Sequence, residues 1–251
     1  MKILGSDYDG TLNYGGINED KIAAIQKWRE AGNKFGVVSG RRQHFRAFLQ
    51  QNVPELKVDF LVTCNGGYIM DESGAVIYEA RCNDVELSEF VSDLFDFGCK
   101  IAHISGEQYT CVVASEEDVP ANISADDVYL LKDCPKIDYF NQVTVTLPSA
   151  DEVPTVVEKI KNKYSKWVTP LQNGRYIDIV PKGVNKAQGL YRVMEKFGCS
   201  HEDVITVGND VNDLDMIREF NSYAMENSVD EVKNTAKGIV SDVAELIAKE
   251  L

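Results

Sequence analysis

The chain has 251 residues, which at about 150 residues per domain means one large domain or two modest ones. Hydrophobic residues make up 44% and charged residues 26%, a composition that excludes a disordered chain, a collagen-like repeat and a disulfide scaffold. The 26 Lys and Arg against 40 Asp and Glu leave a formal charge of −14, and so negative a body repels nucleic-acid phosphates and anionic lipid headgroups. Neither nucleic acid nor membrane is an expected partner.

No run approaches the roughly 18 apolar residues of a spanning helix. The N-terminal MKILGSDYDG reaches Asp7 too soon for the apolar region of a secretory signal, so the expected location is cytoplasmic. Cys64, Cys82, Cys99, Cys111, Cys134 and Cys199 contain no CxxC pair and read as reduced, mostly buried thiols. His44, His103 and His201 are scattered, with no HExxH frame.

In chain order, a first strand runs around Ile3 and Leu4, and Asn18 with Glu19 and Asp20 opens a helix that ends near Gly32. Phe35 to Val38 reads as a strand, Phe45 to Leu49 as part of a helix and Phe60 to Thr63 as a third strand, an alternation that implies parallel βαβ units. After Asn65-Gly66-Gly67, the segments Tyr68 to Met70 and Ala75 to Tyr78 flank DESG as a hairpin. Residues 85–97 then have helical periodicity, Thr110 to Ala114, Val128 to Leu131 and Val143 to Leu147 are β-like, and Ser149 with Glu152 reads as a capping box before a helix at Val153. From Lys182 onward come a helix with Leu190, Val193, Met194 and Phe197, a strand at Val204 to Val207, the turn GNDVND, another helix, and a last helix at 242–251. The expected fold is α/β: a parallel-sheet core from residues 1–80 and 181–251, with an α+β unit, 81–180, inserted in it.

Four stretches carry candidate chemistry. Asp7-Tyr8-Asp9-Gly10-Thr11 places two carboxylates at i and i+2 before a glycine turn. In extended chain they share a face, and a hard cation such as Mg²⁺ would relieve their repulsion; an acidic turn capped by Thr11 fits the same residues. Ser39-Gly40-Arg41 offers a hydroxyl, an open backbone N–H and a guanidinium for a phosphate, and equally reads as a turn and helix cap. Lys186, in KGVNK at the start of a helix, brings a compact positive charge to an anion or lies exposed. Gly208-Asn209-Asp210-Val211-Asn212-Asp213 adds oxygen ligands after a strand, as an Asn-rich loop also does.

Taken together and in this order, DYDGT, VVSGR, the lysine of KGVNK and GNDVND resemble the four motifs of the haloacid dehalogenase superfamily. NGG before the insertion and RYIDIVPKGVNKAQGL after it are similar to its Cof-like sugar phosphatase branch. The resemblance implies a Rossmann-like core with a mobile α/β cap and Mg²⁺-dependent hydrolysis of a small phosphorylated metabolite, a sugar phosphate by preference. It implies Asp7 as nucleophile, through an aspartyl-phosphate, Asp9 as general acid and base, and Lys186 as the neutralising charge. Thr11, Ser39, Gly40, Arg41 and Asn212 would contact substrate, and Asp7, the Asp9 carbonyl, Asn209 and Asp213 would hold Mg²⁺. One departure is Asn209, where the superfamily pattern GDxxND has a metal-binding aspartate; the amide oxygen still binds Mg²⁺ but removes one negative charge, for which Asp210 or Asp213 could compensate. The alternatives are a phosphometabolite-binding or regulatory protein that has lost turnover, and a phosphomutase. Within the insertion His103, Tyr109 and Arg175 are polar or aromatic, and ordinary packing explains each equally well. Nothing in the sequence sets the oligomeric state.

Overall fold

Short apolar runs become strands at the positions their periodicity marks. The computed structural model describes residues 1–106, 109–119 and 128–251. Its N-terminal part forms β1 (Ile3–Ser6), α1 (Glu19–Glu30), β2 (Lys34–Val38), α2 (Phe45–Asn52), β3 (Phe60–Thr63) and the hairpin β4 (Tyr68–Asp71) and β5 (Val76–Glu79). Asn18 caps α1 by accepting the Lys21 N–H at 3.0 Å, with Glu19 and Asp20 set against the positive end of the helix dipole.

The middle of the chain supplies α3 (Leu87–Asp96), β6 (Ile101–Gly106), β7 (Tyr109–Ala114), β8 (Val128–Leu130), β9 (Gln142–Thr146), α4 (Val153–Tyr164), β10 (Val168–Asn173) and β11 (Tyr176–Pro181). Ser149 does not form the expected capping box: its hydroxyl accepts from Asp151 N–H at 3.3 Å, because a short 3₁₀ turn, Ala150–Glu152, comes before α4. Strands β6, β10 and β11 lie outside the runs that periodicity picked out. Pro170 in β10 argues against a strand by sequence; it is tolerated because β10 is an edge strand. Asp178 interrupts the apolar run of β11 and is nonetheless buried there.

The last part comprises α5 (Lys186–Phe197), β12 (Val204–Gly208), α6 (Leu214–Glu219), β13 (Asn221–Met225), α7 (Asp230–Thr235), β14 (Gly238–Val240) and α8 (Val243–Glu250). Elements β13, α7 and β14 are of three to six residues each, too short for a period to show.

The chain divides into two compact units, one of Met1–Glu79 with Asn185–Leu251 and one of Ala80–Val184. The first holds a sheet in the order β14-β13-β12-β1-β2-β3-β4-β5, parallel from β14 to β3 and antiparallel at β4 and β5. On one face Trp28 of α1, Phe45 and Leu49 of α2 and Leu246 of α8 pack over Leu4, Phe35 and Val37. On the other, Leu190 and Val193 of α5 and Ile217 of α6 pack over Ile3, Val38 and Val62. The result is an α/β/α sandwich whose central strands are apolar on both faces, as parallel sheets require. The second unit is a sheet ordered β10-β11-β9-β6-β7-β8, with α3 and α4 covering the face that carries Ala102, Ile104, Val143, Val145, Ile177 and Ile179. None of the six cysteines is in a disulfide, and no helix among the described residues is long and apolar enough to cross a membrane.

Candidate active site

The carboxyl ends of parallel strands gather loops at one edge of a sheet, where open α/β folds bind ligands. Here β1, β2 and β12 are neighbours, so Asp7, Ser39 and Asn209, each the first residue beyond its strand, come to the same edge. Asp7 is held in the ladder by its N–H, which donates to Val207 O at 2.9 Å. The chain then makes one wide helical turn, with Leu12 N–H donating to Asp7 O at 3.1 Å and Asn13 N–H to Tyr8 O at 2.9 Å. Gly10 permits that turn: its φ is +79°, and a Cβ there would lie 2.6 Å from Asn209 Nδ2.

At the centre, Lys186 Nζ donates to Asp7 Oδ1 at 2.7 Å and to Asp213 Oδ1 at 2.5 Å. All three residues are buried. Lys186 opens α5, whose N-cap Asn185 accepts the Gln188 N–H at 2.8 Å. Asp213 also accepts the N–H groups of Asn209 and Asp210 through Oδ2, at 2.8 and 3.1 Å. Burial pushes the Asp7 carboxyl up to about 7; Lys186 opposes the shift and the neighbouring Asp213 adds to it. Burial alone would lower the Lys186 ammonium, but Asp213 and Asp7 outweigh it and hold it above its ordinary value. Two buried carboxylates thus share one ammonium.

Asp9 stands apart from this triad. Its carboxylate is exposed and accepts both arms of Arg41, Nε to Oδ2 and Nη2 to Oδ1, each at 2.8 Å. Ser39 is buried, and its hydroxyl oxygen accepts the Arg41 N–H at 3.1 Å, which leaves the hydroxyl proton to donate elsewhere. Thr11 donates its hydroxyl to Asn209 Oδ1 at 2.9 Å, so it meets the second loop and is itself buried. Asn212 is half-buried in the 3₁₀ turn Val211–Asp213. In the other unit His103 is half-buried on β6, Arg175 is exposed in the β10–β11 turn, and the Tyr109 side chain lies outside the described residues.

Several supporting residues gave no sequence signal. Asn227 Nδ2 donates to Gly10 O at 2.9 Å and Ser228 Oγ to Gly208 O at 3.2 Å, fastening the loops after β1 and β12 from a third segment. Lys21 of α1 is buried and donates to Leu12 O, Tyr14 O and Gly16 O at 3.1, 2.6 and 2.9 Å. Gly66 of NGG lies so close to α5 that a Cβ would be 2.1 Å from Asn185 O. The asparagine-glycine run shows a turn in sequence, and only the fold shows what presses on it.

The donors suit a hard cation by chemistry: the Asp7 and Asp213 carboxylates, the Asn209 amide oxygen and the Asp9 carbonyl are all oxygens. The triad is also one positive charge short, with two carboxylates to one ammonium. No group of three or more His, Cys, Asp or Glu among the described residues is arranged for a metal ion.

Residues 4–249 match the family described as haloacid dehalogenase-like hydrolase. The chain is 38% identical to the 5-amino-6-(5-phospho-D-ribitylamino)uracil phosphatase YcsE of Bacillus subtilis, over 99% of this chain and 94% of that protein. Among solved structures it resembles a chain from Plasmodium vivax described as a HAD/COF-like hydrolase, at TM-score 0.83 and 22% identity over 100% of this chain and 95% of that one. It also resembles a HAD subclass IIB sugar phosphatase, at TM-score 0.80 and 19% identity over 100% and 99%. At such identities the structural likeness speaks for the fold alone.

Proposed function

The chain belongs to the haloacid dehalogenase-like hydrolase family, and from that premise we propose that it is a phosphatase cleaving the phosphate ester of a small phosphorylated metabolite of the sugar-phosphate kind. The observation that carries this reading is the buried Asp7–Lys186–Asp213 triad at the carboxyl ends of β1 and β12. An Asp7 oxygen attacks phosphorus, the ester bond to the leaving oxygen breaks, and the aspartyl-phosphate so formed is later cleaved by water. Asp9 hands a proton to the departing alkoxide and takes one from the attacking water. Lys186, held at 2.7 Å from Asp7, sets positive charge against the phosphoryl oxygens in a water-poor site, where such charge acts most strongly. Ser39 donates its free hydroxyl proton to a phosphoryl oxygen, beside the Gly40 main chain.

Asp7, the Asp9 carbonyl, Asn209 and Asp213 would hold Mg²⁺. When bound, it supplies positive charge that keeps the carboxylates ionised and polarises the phosphoryl group. The substrate on this reading is a sugar or sugar-alcohol phosphate, with the alcohol as leaving group; the relative YcsE, named as a phosphatase of a ribityl phosphate, supports that class. The insertion 81–180 serves as the cap, and the protein works in the cytoplasm.

The test is phosphate release from sugar, sugar-alcohol and aryl phosphates, with Mg²⁺ or chelator, for the native chain and Asp7→Asn. Mg²⁺-dependent release that disappears in Asp7→Asn is expected. A folded native chain silent on the whole panel, and still silent as Asn209→Asp, would refute the reading; recovery in Asn209→Asp would identify a binding protein that lost turnover through that amide. Isomerised sugar phosphate in place of free phosphate would identify a mutase.

A further inference from the structure

Arg41 was expected to contact substrate; in the structure its Nε and Nη2 bind a carboxylate within its own unit. Both arms close on Asp9 at 2.8 Å. Three rings surround the guanidinium, with its carbon 5.1 Å from the centroid of Tyr8, 4.9 Å from Phe45 and 5.0 Å from Phe48. The rings brace one another: Tyr8 and Phe45 meet edge to face at 4.7 Å, and Phe45 and Phe48 stack at 5.7 Å. The main chain is fixed as well, since Arg41 N–H donates to Ser39 Oγ at 3.1 Å and Arg41 O accepts the Cys64 N–H at 2.8 Å.

We propose that Arg41, bedded on Tyr8, Phe45 and Phe48, is a positioning residue that fixes the direction of the Asp9 carboxylate. The inference rests on the reading of Asp9 as general acid and base. A carboxylate on an exposed turn has two free torsions and samples several rotamers, whereas a two-pronged guanidinium fixes both oxygens at once. The three rings do the same for the guanidinium, through cation–π and stacking contacts that an ammonium reproduces poorly. Phe48 is 39% exposed and so contributes little to the core; its place over Arg41 gives that exposure a purpose. The arrangement extends the active site to α2, which carries Phe45 and Phe48.

Leaving-group chemistry separates this role from others. A sugar alkoxide must be protonated as it departs, while a nitrophenolate leaves without a proton. Arg41→Lys keeps the charge and loses the fork, and Phe48→Ala removes one ring from a half-exposed site, so both variants retain the fold. Turnover of the best sugar phosphate and the pre-steady-state burst of nitrophenolate from p-nitrophenyl phosphate are compared with the native chain. For Arg41→Lys the expected result is a drop in kcat on the sugar phosphate of about 10- to 100-fold. KM should stay within about threefold, and the nitrophenolate burst likewise, since neither depends on the direction of Asp9. Phe48→Ala should reproduce a milder version, about three- to tenfold.

Equal losses in the burst and in sugar-phosphate turnover would overturn the proposal in favour of a merely structural arginine. A rise in KM alone would overturn it in favour of a substrate anchor, and full activity of Arg41→Lys would show that charge without direction suffices. An unchanged Phe48→Ala would remove the aromatic bed from the argument. Asp9→Asn is the control: if it retains sugar-phosphate turnover, the reading of Asp9 fails, and if it is inactive while Arg41→Lys is not, only the present inference fails.

Discussion

Gly66→Ala tests how the site is assembled. Gly66 has φ +105°, beyond the left-handed region that other residues occasionally visit, and an added Cβ would lie 2.1 Å from Asn185 O. The backbone strain costs about 1–3 kcal/mol, and forcing packed backbone apart by about an ångström adds about 1–3 kcal/mol, so a loss of about 2–6 kcal/mol is expected. Gly32 is the matched control, with φ +83° and nothing within 4 Å of its added Cβ; Gly32→Ala should cost only about 1–2 kcal/mol. Denaturant midpoints at a common slope give both numbers. The two variants should also differ in activity, because Asn185 caps the helix whose first residue is Lys186. A displacement of about 1 Å there is enough to lower kcat roughly a hundredfold, while Gly32→Ala should leave kcat unchanged. Equal destabilisation of the two variants, or full kcat in Gly66→Ala, would refute the view that Gly66 sets the position of Lys186.

Asp59→Asn should cost about 1–3 kcal/mol at pH 7, because its carboxylate accepts Arg29 Nε at 2.8 Å, Lys34 Nζ at 3.0 Å and Phe35 N–H at 3.0 Å. Burial raises this carboxyl, but Arg29, the Phe35 N–H and Lys34 together draw it below its ordinary value. Its contribution is therefore complete above the unfolded carboxyl pKa of about 4 and is lost as pH falls through the lower folded value; urea midpoints of the native and variant chains should converge as the solution is acidified below that range, and a constant gap would contradict the assignment. Lys21→Met should lower the denaturant midpoint by the equivalent of about 2–3 kcal/mol, since it strips the donor from three carbonyls just after the active-site turn; an unchanged midpoint would mean that water replaces the ammonium. Asn209→Asp should lower the Mg²⁺ concentration for half-maximal activity roughly tenfold by adding a charged oxygen ligand, and a metal titration showing no shift would place Asn209 outside the metal's reach.

The β-strand core was legible because β1, β2, β3 and β12 are buried on both faces and so appear as continuous apolar runs closed by Gly, Asn or Ser. The helices α1, α5 and α8 announce themselves through caps: Asn18, Asn185 and Asp242 each accept a backbone N–H from three residues on. What stayed hidden has one physical cause, namely partners distant in sequence. Arg41 and Asp9 are 32 residues apart, Thr11 and Asn209 are 198, and Asn227 and Gly10 are 217. No local pattern distinguishes an arginine that closes on Asp9 from one that faces substrate. The buried polar strand β11 stayed hidden for a related reason: Asp178 reads as a break in an apolar run until Thr144, hydrogen-bonded to it at 2.7 Å from β9, is placed beside it.

The two buried lysines of the core show how a local environment turns the same residue to different ends. Lys21 meets three neutral carbonyls; burial lowers its pKa, and the Asp242 charge only partly offsets that. Its three donors fasten residues 12–16, and nothing about it invites an anion. Lys186 meets two carboxylates, which more than recover what burial takes away, so its charge is secure at any physiological pH. Yet those carboxylates outnumber it, and Asp7, raised chiefly by burial with the Asp213 charge adding to it, is pushed up to about 7. A buried site with that imbalance is stabilised by any arriving positive charge, and it also brings an ammonium to the side of the Asp7 oxygen where phosphoryl oxygens would lie. Asn209 takes part in the same balance: an aspartate there would put a third carboxylate against one ammonium and deepen the deficit in the metal-free chain. If Asn209 holds the cation as proposed, the amide trades cation affinity for an easier fold, and Asn209→Asp is expected to bind Mg²⁺ more tightly while being less stable than the native chain in chelator.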